Sequence, residues 1–382
     1  MAPTSIGSLD SPLGSVDGEV DHFSLGQGRW ISWAILSLAV SLFFCFWNLG
    51  YSSYHAEDES LHVSVIQQMI HHDHLVVPHE EDGPYFNKPP LKMWATIPVV
   101  SLFGETPFSL RFLDGLAGVV CGFLIFLIAC SLFNSPRAGF FATVFFFTAD
   151  IVLFDHGVRS AVQDSWLLAF SISVMWIGYH FIISRTLLNT NHIPMIAVGA
   201  VTGLSLMVKS AAGVLAPVLL GVVWLFHGAR RISFGAIFLA TTCAAALALI
   251  YGAVLFFHHP SEMLIALNRE VLSRITDGFQ RQNEPFFYFT LIGRRKLAID
   301  GSWLLISTGL MGYFAWKHRF PHAIFLSVWT FGPLILFSAV KTRLERYIFP
   351  AIPAHALITG WALDLVIAHA SRFAVARSDA PS

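Results

Sequence analysis

The chain has 382 residues, 55% hydrophobic and only 12% charged, with a mean hydropathy of +0.64 and a net charge of −1. Ordinary soluble domains are roughly 25% charged, so this composition excludes a soluble globular protein and calls for a bilayer, where each crossing is a helix that satisfies its own backbone. The near-neutral balance, with a pI of about 7.0, gives no bulk attraction to nucleic acid.

Residues 1–29 are polar, rich in Ser and Gly, and carry Asp10, Asp17, Glu19 and Asp21, unlike the basic start of a signal peptide. The run from Trp30 to Tyr51 is long enough to span and lacks a small-residue cleavage site, so it is expected to persist as the first transmembrane helix. Further apolar runs lie near 110–132, 138–154, 164–184, 193–208, 211–227, 233–257, 301–316, 322–340 and 347–368. The expected fold is therefore an all-α polytopic membrane protein with about ten transmembrane helices. The expected division is a disordered cytoplasmic tail over 1–29, a transmembrane domain over 30–368 with outer loops at about 54–109 and 258–300, and a second cytoplasmic tail over 369–382. With the N-terminus inside, Arg137, Arg185, Arg230 with Arg231, Lys317 with Arg319, and Arg372 with Arg377 all fall on the inner face, as the positive-inside rule requires. Cys45, Cys121, Cys130 and Cys243 all sit in apolar runs and read as packing groups, not disulfides or metal ligands.

The outer face receives charge of both signs that topology does not explain, which points to a polar site there. In the first outer loop, Leu61, Val65, Ile66, Met69 and Ile70 follow Asp58 at helical spacing, an apolar stripe expected of a helix lying in the membrane interface. Glu57-Asp58-Glu59 opens that helix, where the helix N-terminus itself favours carboxylates. Lys88, beside Pro89 and Pro90, suits either a stiff turn with a snorkelling lysine or a hold on a lipid phosphate. Leu91–Phe103 is apolar, interrupted by Pro98 and too short to cross. Asp164 at the mouth of a span needs a purpose or a partner, and Arg159 is the nearest candidate partner in sequence. His71-His72-Asp73-His74 with His79 invites a metal reading, but adjacent side chains on a helix diverge by about 100°, so polar interfacial residues are the expectation.

The order Asp58-Glu59, Leu75-Val76-Val77-Pro78, Tyr85-Phe86-Asn87-Lys88-Pro89-Pro90-Leu91, Trp94, Leu102-Phe103-Gly104 and Arg111-Phe112 resembles the opening of GT-C glycosyltransferases, in particular lipid A aminoarabinose transferases and the protein O-mannosyltransferase superfamily. The resemblance continues through Arg159 and Asp164, Gly203 to Pro217 across Lys209, Arg274 to Tyr288, and Lys341 to Pro350 across Arg346 and Tyr347, covering most of 30–368. It implies inverting transfer of a sugar from a polyprenyl (undecaprenyl or dolichyl) phosphate carrier to an acceptor lipid, glycan or protein. The site would lie on the periplasmic or outer face of the bacterial inner (plasma) membrane, with both termini cytoplasmic.

By the same resemblance Asp58 is the base or acceptor-orienting group and Glu59 supports it, while Lys88, Arg274 and Lys209 hold the donor phosphate. His62, Asp164, Arg159, Lys341, Arg346 and Tyr347 are further site candidates, and Arg294 and Arg295 fit headgroup contact equally well. No cofactor is required, although some GT-C relatives use a divalent metal. The sequence departs from the aminoarabinose transferases in having Leu61-His62 where they carry Arg-Tyr, and in ending soon after its last span where they carry a soluble domain. Sugar and acceptor therefore stay open. The competing readings are a polyprenyl-lipid transporter or flippase without transfer chemistry, and a non-catalytic scaffold. Charges at span ends and the lack of an inverted repeat favour the enzyme.

Overall fold

The computed structural model describes residues 27–54, 58–154, 156–183, 192–226, 234–268, 287–288, 305–313, 322–340 and 343–378. The chain runs through α1 (Gln27–Phe46), α2 (Asp58–His71), a two-residue hairpin of β1 (His79–Glu80) and β2 (Gly83–Pro84), α3 (Leu91–Phe103), α4 (Pro107–Phe133), α5 (Pro136–Thr148) and α6 (Asp150–Leu153). It continues through α7 (Asp164–Ile177), which ends in a π-helical stretch at Gly178–Ile183, then α8 (Ile193–Lys209), a 3-10 turn at Ser210–Val214, α9 (Leu215–Phe226), α10 (Phe234–His258) and α11 (Pro260–Leu267). After α12 (Ala323–Ala339), a 3-10 segment at Glu345–Ala351 leads into α13 (Ile352–Ser378). In the hairpin His79 faces Pro84 and Glu80 faces Gly83.

Local sequence explains the longest breaks. Thr106 caps α4 by accepting from Ser109 N–H while the Ser109 hydroxyl accepts from Thr106 N–H, and Pro107 opens the first turn, where a missing N–H has no consequence. At the far end Asn134 adopts the left-handed conformation (φ 51°), and Ser135 with Pro136 starts α5. The two ends of α4 are about 40 Å apart at 1.5 Å per residue, so Arg111 in its first turns and Arg137 beyond its last lie on opposite faces of the helical layer.

Among the described residues, five helical stretches are long and apolar enough to cross a membrane: Pro107–Phe133, Asp164–Ile182, Ile193–Phe226, Gly235–His258 and Glu345–Arg372. The chain is thus an integral membrane protein, while the expected count of about ten crossings does not carry over to the described residues. The apolar stretches Trp30–Phe46 of α1 and Ala323–Ala339 of α12 are shorter, at the lower end of what a crossing takes, and the expected 138–154 crossing splits into α5 and α6 at Ala149. The expected division between 193–208 and 211–227 is present as a sharp break, with Ser210 at φ 43° and ψ −130°.

Small residues allow the helices to approach closely. A Cβ on Gly118 of α4 would stand 2.7 Å from the Cys45 sulfur of α1, so these helices depend on that missing methyl. The four cysteines are free, with Cys45 and Cys121 buried.

The apolar stripe of α2 does not face lipid. Val65, Ile66 and Met69 are fully covered and form a second, smaller core with Tyr85, Met93, Val100, Leu110 and Ala161. This corrects the interfacial expectation: periodicity identifies an apolar face, and here that face is satisfied by α3 and α4 in place of the bilayer. α2 is thereby fixed in place by packing on α3 and the start of α4.

Candidate active site

Charged and polar side chains meet where α2, the 156–164 segment and the 3-10 segment before α13 come together. Arg111 lies at this junction. Its Nε donates to Glu59 Oε1 at 2.7 Å and its Nη2 to Glu59 Oε2 at 2.9 Å, a two-pronged pair in which both side chains are inaccessible. The remaining donors reach the Leu49, Ser52 and Ser53 carbonyls and the Ser52 hydroxyl. Glu59 also accepts from Ala161 N–H at 2.7 Å. One guanidinium therefore fastens the exit of α1, the start of α2 and the first turns of α4 together, and Glu59 adds the segment before α7. The planar five-donor geometry of arginine is what such a junction requires.

Asp58 is the next residue along, yet its environment is opposite. Its side chain is 43% exposed against 1% for Glu59. Oδ2 lies 3.4 Å from Arg346 Nη2 and 3.6 Å from His156 Nδ1. Arg346 Nη1 in turn lies 2.7 Å from His156 Nε2. Arginine can only donate, so Nε2 accepts and the proton of a neutral His156 sits on Nδ1, facing Asp58. Burial holds His156 below the usual histidine range, with Arg346 and Lys209 acting in the same direction and Asp164 and Asp58 opposing them. Its backbone is in the left-handed region, φ 76°, a conformation uncommon for a non-glycine residue and associated with functional sites.

Two further ion pairs complete the cluster. Lys209, at the end of α8, donates to Asp164 Oδ1 at the start of α7. Lys92 Nζ lies 2.9 Å from Asp114 Oδ2, and Ser165 Oγ donates to Asp114 Oδ1 at 2.6 Å, all of it buried. His62, one turn after Asp58, is 4% exposed and its Nδ1 has no hydrogen-bond partner among the described residues. Its ring is held neutral, well below the usual histidine range, first by burial and then by the positive charges of Lys92, Lys88 and Lys209, with Asp164 opposing. Lys88 is half-buried and donates to the Asn87 carbonyl at 3.1 Å. Cations and carboxylates thus gather around His62 and His156, with Asp58 the exposed member of the group.

Of the expected site residues, Asp58, His62, Lys88, Asp164, Lys209 and Arg346 come together here. Glu59 is adjacent but sealed beneath the surface. Arg159 is a correction: it donates to the Phe44 and Trp47 carbonyls at the end of α1, at 2.7 and 2.6 Å, and Lys209 takes its place opposite Asp164. A helix end presents carbonyls without internal partners, and Arg159 satisfies two of them. Tyr347 packs its ring on Phe337, 4.7 Å between centroids, as part of the main core. Glu57, Arg274, Arg294, Arg295 and Lys341 lie outside the described residues. Of the histidine cluster, His74 stacks on His79 at 3.8 Å and His71 pairs with Glu105 at 2.7 Å. No three His, Cys, Asp or Glu side chains among the described residues are arranged to hold a metal ion.

Sequence reasoning missed His156, Lys92, Asp114 and the organising place of Arg111. Asp114 offered a signal, since a carboxylate inside an apolar run needs a partner. Nothing in the sequence marked His156.

The family of dolichyl-phosphate-mannose-protein mannosyltransferases matches residues 87–256. The undecaprenyl phosphate-alpha-4-amino-4-deoxy-L-arabinose arabinosyl transferase of Serratia proteamaculans is 25% identical over 320 residues, 82% of this chain and 56% of that protein. The enzyme of that name from Aeromonas hydrophila is 26% identical over 339 residues, 86% of this chain and 60% of that protein. The chain therefore spans less than two thirds of the length of these relatives. Among solved structures, ArnT from Cupriavidus metallidurans bound to undecaprenyl phosphate superposes with a TM-score of 0.71 at 21% identity, covering 87% of this chain and 60% of that one. The Archaeoglobus fulgidus oligosaccharyltransferase gives 0.59 at 14% identity, covering 93% of this chain and 53% of that one. The structural likenesses establish a fold shared with these GT-C glycosyltransferases, and the sequence matches lead to the same superfamily.

Proposed function

We propose that this chain is a membrane glycosyltransferase that moves a sugar from a polyprenyl phosphate carrier to an acceptor at the outer face of the membrane, with inversion. The observation that carries this reading is the accessible Asp58 carboxylate beside Arg346 and His156, with Lys88 and Lys209 close enough to act on the neighbouring His62. The named substrate of the arabinosyl transferases and the undecaprenyl phosphate bound to ArnT support a polyprenyl phosphate sugar as the donor.

In this reading an acceptor hydroxyl attacks the anomeric carbon from the side opposite the phosphate. The new C–O bond forms as the bond to phosphate oxygen breaks, the polyprenyl phosphate leaves with the electron pair, and the acceptor proton passes to Asp58. Because the leaving phosphate is already a weak base, one carboxylate suffices, and base assistance of this kind gives about 10² to 10⁴ in rate. Lys88 and Lys209, with Arg274 from outside the described residues, neutralise the departing phosphate. Preorganised cations in a partly dry recess stabilise charge as it develops, so the reading needs no divalent metal. Glu59 supports Asp58 through Arg111 and does not meet substrate.

The expected location is a bacterial inner membrane with both termini cytoplasmic. Arg137 at the far end of α4 is paired there with Asp364 of α13, and its place opposite Arg111 suits a basic inner face.

The test is transfer by purified protein given undecaprenyl phosphate-4-amino-4-deoxy-L-arabinose and candidate lipid, glycan and protein acceptors, with mass spectrometry of the lipid that co-purifies. A co-purified polyprenyl phosphate sugar names the donor. Binding of such a lipid with no transfer to any acceptor would favour a flippase.

A further inference from the structure

Three side chains from distant parts of the sequence form a closed ring at the lip of the site: Asp58 at the start of α2, His156 between α6 and α7, and Arg346 before α13. Arg346 contacts both of the others through different nitrogens, Nη1 on His156 Nε2 at 2.7 Å and Nη2 by Asp58 Oδ2 at 3.4 Å. The third side of the ring, His156 Nδ1 to Asp58 Oδ2, is 3.6 Å. His156 Nδ1 is buried and makes no hydrogen bond among the described residues. All of the contacts to Asp58 fall on one oxygen, so Oδ1 is the oxygen left for a ligand among the described residues.

We propose that His156 is a positioning residue for the transfer reaction: the neutral Nδ1–H tautomer, fixed by Arg346 donating to Nε2, holds Asp58 Oδ2 and turns Oδ1 towards the acceptor hydroxyl. The proposal rests on the reading of Asp58 given above. The 3.6 Å separation is longer than a hydrogen bond, and it closes when substrate enters, as catalytic contacts in empty sites commonly do. The left-handed backbone of His156 (φ 76°) fits this role, because it turns the chain at the point where the imidazole must lie between Asp58 and Arg346.

The ring has a consequence for pH. A protonated His156 would carry donors on both nitrogens, and Nε2–H would then oppose Arg346. The charged groups that act on it are Arg346 and Lys209, which resist protonation, and Asp164 and Asp58, which favour it. Burial and the two cations prevail, so the ring is intact at neutral pH and opens only below the ordinary histidine value of 6.5. Loss of transfer on acidification is then set in part by His156.

The test combines kinetics with a measurement that needs no turnover. Glutamine can accept from Arg346 through its carbonyl and donate to Asp58 through its amide, without titrating. His156→Ala is expected to lower kcat about 100-fold with little change in donor KM. His156→Gln restores about a tenth or more of the wild-type kcat, with the acid limb of the profile moved to lower pH. In parallel, nitrogen NMR of protein labelled in its histidine rings, with and without added undecaprenyl phosphate, reads the tautomer and titration of His156, identified by the signal absent from His156→Gln. The expected signal is Nδ1–H at pH 7, titrating below 6.5, shifted upward in Arg346→Ala and downward in Asp58→Asn. An unchanged acid limb in His156→Gln, full kcat in His156→Ala, an Nε2–H tautomer, or a titration indifferent to Asp58→Asn would each overturn the proposal. If the NMR coupling appears but wild-type protein transfers no sugar, the glycosyltransferase reading fails and the His156–Asp58 coupling stands.

Discussion

Arg111 and Glu59, 52 residues apart in sequence, meet as a buried two-pronged ion pair, with contacts of 2.7 and 2.9 Å. Glu59 directly follows Asp58 in the chain and the pair joins three elements, so the accessible carboxylate is anchored through its neighbour.

Removing one side of that pair leaves the other charge buried without compensation, which costs about 3–5 kcal/mol. Glu59→Gln and Arg111→Ala are expected to lower the thermal unfolding midpoint sharply in detergent. Arg111→Lys should also fall well short of wild type, because an ammonium cannot serve both carboxylate oxygens and the Leu49, Ser52 and Ser53 carbonyls at once. A wild-type melting point in Arg111→Lys would show that the fork geometry is unimportant.

Lys92 and Asp114 behave as a second buried unit. Lys92→Met strands the Asp114 carboxylate and is expected to destabilise by about 3–5 kcal/mol. The double variant Lys92→Met with Asp114→Asn keeps the hydrogen bond from Ser165 and removes both charges, so it should recover most of that loss. A double-mutant cycle on unfolding midpoints measures the coupling; additive effects of the two changes would contradict the pairing.

His62 makes stability depend on pH. Burial, then Lys92, Lys88 and Lys209, hold its folded form neutral well below the ordinary value of 6.5. As the pH falls through 6.5 the unfolded chain takes up a proton that the folded protein does not, so this contribution is complete above 6.5 and declines below it. Between pH 7.5 and 5.5 wild type should lose about 1.4 kcal/mol more than His62→Gln, read as a steeper fall of the melting midpoint. Equal slopes for the two proteins would place the pH dependence elsewhere.

For the donor phosphate, Lys88→Ala and Lys209→Ala are each expected to raise donor KM and lower turnover, with kcat/KM reduced by about 10- to 100-fold, the worth of one charge-assisted hydrogen bond. Steady-state kinetics against donor concentration check this. Unchanged donor kinetics in Lys88→Ala would remove that lysine from the phosphate site.

The parts of this architecture legible in sequence are those with local signals. Length and hydropathy exposed the membrane helices, helical spacing exposed the apolar face of α2, and Asp58 and Lys88 were marked by their place in the polar loop after α1. Partners were not legible, because pairing across the bundle has no local signature. Arg159 seemed suited to Asp164 from five residues away, yet it binds the end of α1 and Asp164 meets Lys209 from α8. The stripe of α2 gave no hint of whether lipid or protein would cover it. His156 acquires meaning only when Asp58 and Arg346, 98 and 190 residues distant in sequence, are brought to it by the fold.

The most direct test of the central claim is transfer by Asp58→Asn. The substitution keeps the size of the side chain and removes its capacity to take a proton. The account predicts that transfer from a polyprenyl phosphate sugar falls at least about 100-fold while the protein remains folded and still co-purifies with its lipid. Full transfer by folded Asp58→Asn would contradict it.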